Sequence, residues 1–373
     1  MTRSLQLMLL TGKYVPTPAP PSLIDALRSV QVTVASEGAS GFQLTFALGK
    51  RSAVTREMLP LGMLDPETRI IVMVVVGGMP HVLMDGLITR QDQACGATPG
   101  SSTLTVTGQD ISIVMDQKTE KRSYPARVSS LQVMELCAAY ARYGIVPLAV
   151  PPLIQNIPNP LKTSPLQHAT DLAYLKELAE RVGYVFYIDS GPLPGANIAY
   201  WGPEVRVGVP QPALTVDSDA ATNVESLSFG YDGTGRTAYT IGVTEPISKQ
   251  VIPVPLPDAS PLRPPLAVRP APAFKEEPLL GLTGRSLPEI LLLGLGKSAR
   301  SSDVVTGQGR LDVLRYGHVL SARRLVGVRG AGLTYDGLWY VRSVTHEIKR
   351  GEYKQSFSLA REGLVSNTPV VIP

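Results

Sequence analysis

The chain has 373 residues, 44% hydrophobic and 18% charged, enough for two or three domains with real cores. Thirty-five Lys and Arg against 31 Asp and Glu leave a net charge of +4, too small a surplus to mark a dedicated nucleic-acid binder. Thirty-four Gly and 33 Pro favour turns and short strands over long helices. From the N-terminus, the apolar run Leu5 to Leu10 is too short for the core of a secretion signal and has no small-residue cleavage site after it, so no signal peptide is expected. Residues 1–120 then alternate with a period of two. Val30, Val32 and Val34 share one face; Phe42, Leu44, Phe46 and Leu48 repeat the pattern, and so do Leu104 and Val106. Strands with one apolar face predict an antiparallel sandwich or barrel. Ile70 to Val76, ending at Gly77-Gly78, reads as a buried strand, far short of the ~20 residues of a membrane helix. Asp85-Gly86 is a turn candidate, and Gly96 to Ser102 a loop.

Residues 121–206 change character. Ser129 with Gln132 forms a capping-box pattern, and Leu131, Met134, Cys137, Ala138 and Ala141 follow at helical spacing up to Gly144. Cys137 reads as a buried free thiol. With Cys95 it makes too few cysteines for a disulfide framework or a four-thiolate zinc site. Pro147 to Pro160 is a connector. Thr170 and Asp171 start a second helix with the stripe Leu172, Leu175, Leu178, Ala179 and Val182, stopped by Gly183. Strands follow at Tyr184 to Ile188 and Ile198 to Trp201, which makes a small α/β module.

Strand patterns return at Ser226 to Tyr231 and Ala238 to Val243, with Asp232 to Gly235 between them as a hairpin turn. Val251 to Pro278 carries nine prolines in 28 residues and is expected to make neither ladder nor helix, but to lie extended on something, such as a neighbouring chain. In residues 300–365, Lys349 to Glu352 is a hairpin turn, and Tyr353, Gln355, Phe357 and Leu359 alternate beyond it. Arg323, Arg324, Arg329, Arg342, Lys349 and Arg350 are interleaved here, to line a polar interior, to meet an acidic partner or to form a solvated face.

No catalytic, cofactor-binding or metal-ligating set stands out, and no cofactor is expected. His81, His168, His318 and His346 are scattered and lack ligand spacing. Gly294-Leu295-Gly296-Lys297-Ser298 looks like the end of a phosphate-binding loop, but position 291 is leucine and Ser286 with Pro288 gives a helix start. A cell-wall hydrolase would need paired carboxylates or a metal triad, and no such pair emerges.

Three stretches resemble the phage late control D family, the hub proteins of contractile tails and injection systems. Thr105 to Asp116 looks like the end of the family's first barrel. Thr170 to Ile188, TDLAYLKELAERVGYVFYI, is similar to the helix-then-strand signature shared with the base of VgrG spikes. Gly337 to Ile348, followed by Gly351 to Leu359, looks like the closing hairpin of the second barrel. The resemblance implies a mainly β chain with an α/β module and two tube-like antiparallel β-barrels, at 1–120 and at 207–245 with 300–365. The module occupies 121–206, a Pro-rich loop and short helix 246–299, and a tail 366–373. It implies a homotrimer whose six barrels form a pseudo-sixfold ring, a symmetry adaptor and not an enzyme. Its partners would be an inner tube protein, a spike protein and other baseplate components, assembled in the cytoplasm into a tail-like particle. No β-helical spike follows the barrels, so the spike is expected to be a separate chain. A tube initiator is the alternative reading.

Overall fold

The alternating segments of the first 120 residues form antiparallel strands at Leu5–Gly12, Leu27–Ala35, Gly41–Ala47, Arg69–Val76, Met79–Ala94 and Thr103–Asp110. A computed structural model of the chain describes residues 5–98, 100–152, 165–244, 251–256, 262–280 and 287–368. The valines, phenylalanines and leucines singled out by their period of two face one core; Val32, Leu44, Phe46 and Val106 are fully buried. Ile70 to Val76 is a buried strand, and Gly77 and Gly78, at φ +57° and +84°, make the turn out of it. Asp85-Gly86 is not a turn. It lies inside the 16-residue strand Met79–Ala94, where Gly86 is required because a Cβ there would stand 2.1 Å from the Gln109 carbonyl oxygen.

Strands of the second half, Val224–Tyr231, Val305–Asp312, Leu325–Arg329, Gly337–Lys349 and Glu352–Arg361, do not form a separate barrel. All thirteen strands of the main sheet belong to one branched, open path. No closed barrel is found among the described residues, contrary to the expectation of two. The reason is the strand Gly337–Lys349. Along one edge it pairs with Glu352–Arg361. On its other edge it pairs first with Leu325–Arg329, through Val328↔Gly337 to Leu325↔Tyr340, and then with Leu27–Ala35, through Ser343↔Ala35 to Lys349↔Ser29. A β-bulge between Val341 and Ser343 marks the change of partner, the kind of site at which a strand is re-aimed. The alternation of Tyr353, Gln355, Phe357 and Leu359 is a buried face, as the period of two predicts.

The α/β module has its own core. The helix Asp171–Arg181 is capped by the Thr170 hydroxyl, which accepts from the Ala173 N–H at 3.2 Å, and buries Leu172, Leu175, Leu178 and Ala179. It packs with a three-stranded sheet, Ile145–Ala149, Asn197–Gly202 and Val185–Ser190. The first helix, Ser129–Ala138, differs from expectation. Its Ncap is Val128, without a side-chain cap, and its buried face is Ser130, Val133, Leu136 and Cys137, which leaves Leu131 and Met134 exposed. Gln132 is drawn inward instead because its amide donates to the Arg127 carbonyl at 2.8 Å and accepts from the Tyr174 hydroxyl at 2.8 Å.

The proline-rich stretch does form ladders, against expectation. Val251–Pro255 pairs antiparallel with Thr237–Thr244, Lys275–Pro278 pairs parallel with the same strand, and Ala267–Pro270 pairs with Gly363–Ser366. Val251–Pro255 is an edge strand of its sheet, and Pro253 and Pro255 share one orientation, so their missing N–H groups fit the unpaired side. Glu362 fastens the stretch by accepting from the Leu266 and Ala267 N–H groups. The extended segment thus lies on its own chain. Asp232 to Gly235 turns the chain out of the main sheet into this small one, and so does not close a hairpin.

The sequence Gly294 to Ser298 lies inside the helix Leu287–Ser301, which accounts for its glycines without a phosphate. Gly296 backs onto Gly183, where an added Cβ would meet the Gly183 Cα at 2.4 Å. Gly296→Ala is expected to cost about 1–3 kcal/mol by forcing this helix off the module, measured as a lowered denaturant midpoint with an unchanged slope.

Candidate functional site

Three places in the fold concentrate polar or unpaired groups. The first joins the module to the sheet. Arg69, on Arg69–Val76, makes a bidentate pair with Asp85, at 2.7 Å from Nε to Oδ1 and 2.6 Å from Nη2 to Oδ2. Its remaining donors reach the Tyr14 carbonyl at 2.8 Å and the Tyr143 carbonyl at 2.8 Å. Asn197 of the module donates to Asp85 at 2.8 Å. Both charges are at most 2% exposed, so all of these bonds are made away from water. This is a structural clasp, and nothing in the sequence pattern pointed to it.

The second lies where three segments meet. Arg206 and Arg263 share Asp303 and Glu204: Arg206 Nη1 is 2.8 Å from Asp303, Arg263 Nη2 3.0 Å from Asp303, and Arg263 Nη1 3.2 Å from Glu204. The Arg206 guanidinium also stacks 4.4 Å over the Tyr340 ring. Burial pushes the Asp303 carboxyl upward, but Arg206 beside it outweighs that and holds it below the usual carboxylate range. Against this cluster lies a cavity of about 400 Å³ lined by Arg300, Arg323, Arg342, Glu37, Glu204 and Tyr187. Arg323 is stacked 4.0 Å from Tyr187 and ion-paired with Asp189, and Arg342 is 3.6 Å from Glu37. Arg350 donates to the Asp25 carbonyl at 2.8 Å. Of the interleaved basic residues, Arg323, Arg342 and Arg350 thus make intramolecular contacts, while Arg324 and Lys349 are exposed and Arg329 is half-buried.

The third is a cleft of about 630 Å³ between the module and both halves of the sheet. His81, His318 and His346, far apart in sequence, all line it, whereas His168 lies exposed on Leu166–Thr170. Among the described residues no group of three or more His, Cys, Asp or Glu has the geometry to hold a metal. Cys137 is a buried thiol, pushed up to about 12 by burial; Cys95 is exposed. No described helix is long and apolar enough to cross a membrane.

The main path of the sheet also ends in two free edges, apart from the side branch that ends at Gln211–Thr215. One is Leu5 to Met8, beyond the short pairing of Leu10 and Thr11 with Thr17–Pro18; the other is Val224–Tyr231, whose outer side has no strand partner among the described residues. On the core side, Leu5, Leu7, Leu227 and Phe229 are only partly covered.

Solved structures share this architecture from end to end. A tail protein from Neisseria meningitidis MC58 superposes with a TM-score of 0.63 at 13% identity, over 97% of this chain and 98% of its own. The 43 kDa tail protein of prophage MuSo2 from Shewanella oneidensis gives 0.64 at 13%, over 96% and 99%. The chain has a phage-tail-protein fold. The same fold extends to secretion machinery: the E. coli c3393 protein, a component of the type VI secretion system similar to the T4 tail proteins gp27 and gp5, matches with a TM-score of 0.54 at 11% identity, over 93% of this chain and 77% of its own. No protein-family model and no curated protein matches the sequence.

Proposed function

We propose that the chain is a structural hub of a tail-like contractile assembly, a homotrimer that adapts a sixfold inner tube to a threefold spike, with other baseplate components around it. It works by binding and not by turnover, and assembles in the cytoplasm. The observation that carries this reading is the pair of free edges at opposite ends of one sheet. Neither Leu5 to Met8 nor Val224–Tyr231 contains the proline or lysine that natural edges use against strand addition, and both leave apolar side chains half covered. Two different edges that complement each other generate a head-to-tail contact, which closes into a ring when the rotation permits. The likeness in fold to tail proteins and to a type VI component supports the same reading.

Native mass spectrometry of the purified chain tests it. The expected species is three times the 39.9 kDa chain. Six copies would favour a tube initiator, and a monomer at every concentration would overturn both readings.

A further inference from the structure

Leu320 is held by a side chain from a buried strand. Gln355 accepts from the Leu320 N–H at 3.0 Å through Oε1 and donates to the Leu320 carbonyl at 2.8 Å through Nε2. This double bond fixes the amide's orientation, and the same Nε2 faces His346 Nδ1 at 3.2 Å. The Tyr353 hydroxyl lies 2.8 Å from that Nδ1. With an amide donor turned toward it, Nδ1 serves as an acceptor, and the buried ring is neutral with its proton on Nε2. Charging His346 would put a proton on Nδ1. The Tyr353 hydroxyl can accept that proton but the Gln355 amide cannot, so its N–H would face a donor and the two bonds to Leu320 would be weakened.

The loop 317–322 leads into Arg323, which is tied to Asp189 of the module and donates to the Ala35 carbonyl at 2.6 Å. Gln211 holds the next residue of the loop, Ser321, by a second pair of bonds at 2.7 and 3.0 Å. His81 faces the same cleft from the first half of the sheet. The carboxylates that line the cleft are already engaged: Asp85 by Arg69 and Asn197, Asp110 by the Ser112 N–H, and Asp189 by Arg323. Arg324 adds another positive charge, and Tyr316 lies 6.0 Å from the His318 ring. A proton arriving on His81 or His346 therefore finds these carboxylates already engaged and Arg324 in the same cleft.

We propose that the loop 317–322 is a proton-operated latch, released from Gln355 when the cleft histidines charge, and that its release frees the module edge held by Arg323. Burial, with His318 nearby, lowers His81; burial, with His81 nearby, lowers His346 to about 3. These are bases depressed in the closed state, so the open state binds more protons below the ordinary histidine value of about 6.5, and closure weakens as the pH falls from there. For His346 alone the opening equilibrium should rise about tenfold per pH unit between roughly 6 and 3.

Hydrogen exchange on the full chain, at pH 7.5 and pH 5.0 and corrected for intrinsic rates, tests the latch. Peptides covering 317–324 and 185–190 are expected to lose at least tenfold in protection at pH 5.0, while those of Gly41–Ala47 stay constant. His346→Gln should flatten that response. Should this variant fail to fold, the His81→Gln/His318→Gln pair, which leaves the buried ring in place, should reduce it severalfold. Equal protection at both pH values in the wild type would overturn the proposal, and so would an undiminished response in the double variant.

Discussion

Arg69→Met is expected to cost about 3–5 kcal/mol of folding stability, because it leaves Asp85 charged in a site with almost no access to water. The variant also takes the Arg69 donor from the Tyr14 carbonyl and from the Tyr143 carbonyl, which keeps only Asn197 at 3.3 Å. Urea unfolding followed by far-UV and near-UV signals together should show the loss, with the near-UV signal of the module's tyrosines and Trp201 disappearing first. Arg69→Met/Asp85→Leu should recover part of it by removing the stranded charge. Recovery would be incomplete, since Asn197 then keeps only the Tyr143 carbonyl, at 3.3 Å, as acceptor. A single variant with wild-type stability would show that the clasp is not what holds the module.

Asp303→Asn should be of similar size, about 3 kcal/mol, since Arg206 and Arg263 are then left in a buried site where Glu204 is the carboxylate they keep among the described residues. The pH dependence has a definite sign. The Asp303 carboxyl is held below its ordinary value in the folded chain, so its contribution is complete above about pH 4 and is lost as the pH falls through the folded value. Wild-type stability should therefore fall in that acid window, and the asparagine variant should show a shallower fall there. Identical acid profiles would exclude Asp303 as the keystone of the cluster.

Strand period and helix stops were legible in the residues. The alternating valines and phenylalanines, the Leu172 to Val182 stripe and the Arg350-Gly351 turn all stand where pattern and turn chemistry place them, because each is set by neighbours within a few positions. The errors share one cause. Gly86 looks like half of a turn until the Gln109 carbonyl is seen against it. Leu131 and Met134 look like core until Tyr174 pulls Gln132 inward. Prolines forbid a central strand but not an edge, and whether a segment is an edge depends on partners a hundred residues away. The clasps were invisible for the same reason: Arg69 with Asp85 and Arg206 with Asp303 are ordinary charges in sequence, and only the topology buries them. The histidines gave no signal because their nearness to one another is wholly tertiary.

The strand Gly337–Lys349 leaves no linker between the halves of the molecule. Seven consecutive pairs, Ser343↔Ala35 to Lys349↔Ser29, join one half to the other, with Arg323, Arg342 and Arg350 bonding across beside them. Pulled along the strand direction, such a ladder is loaded in shear, with its rungs sharing the force, and does not peel open one rung at a time. A thrust delivered to either half of the sheet is therefore expected to reach the other through these rungs with little lost in bending.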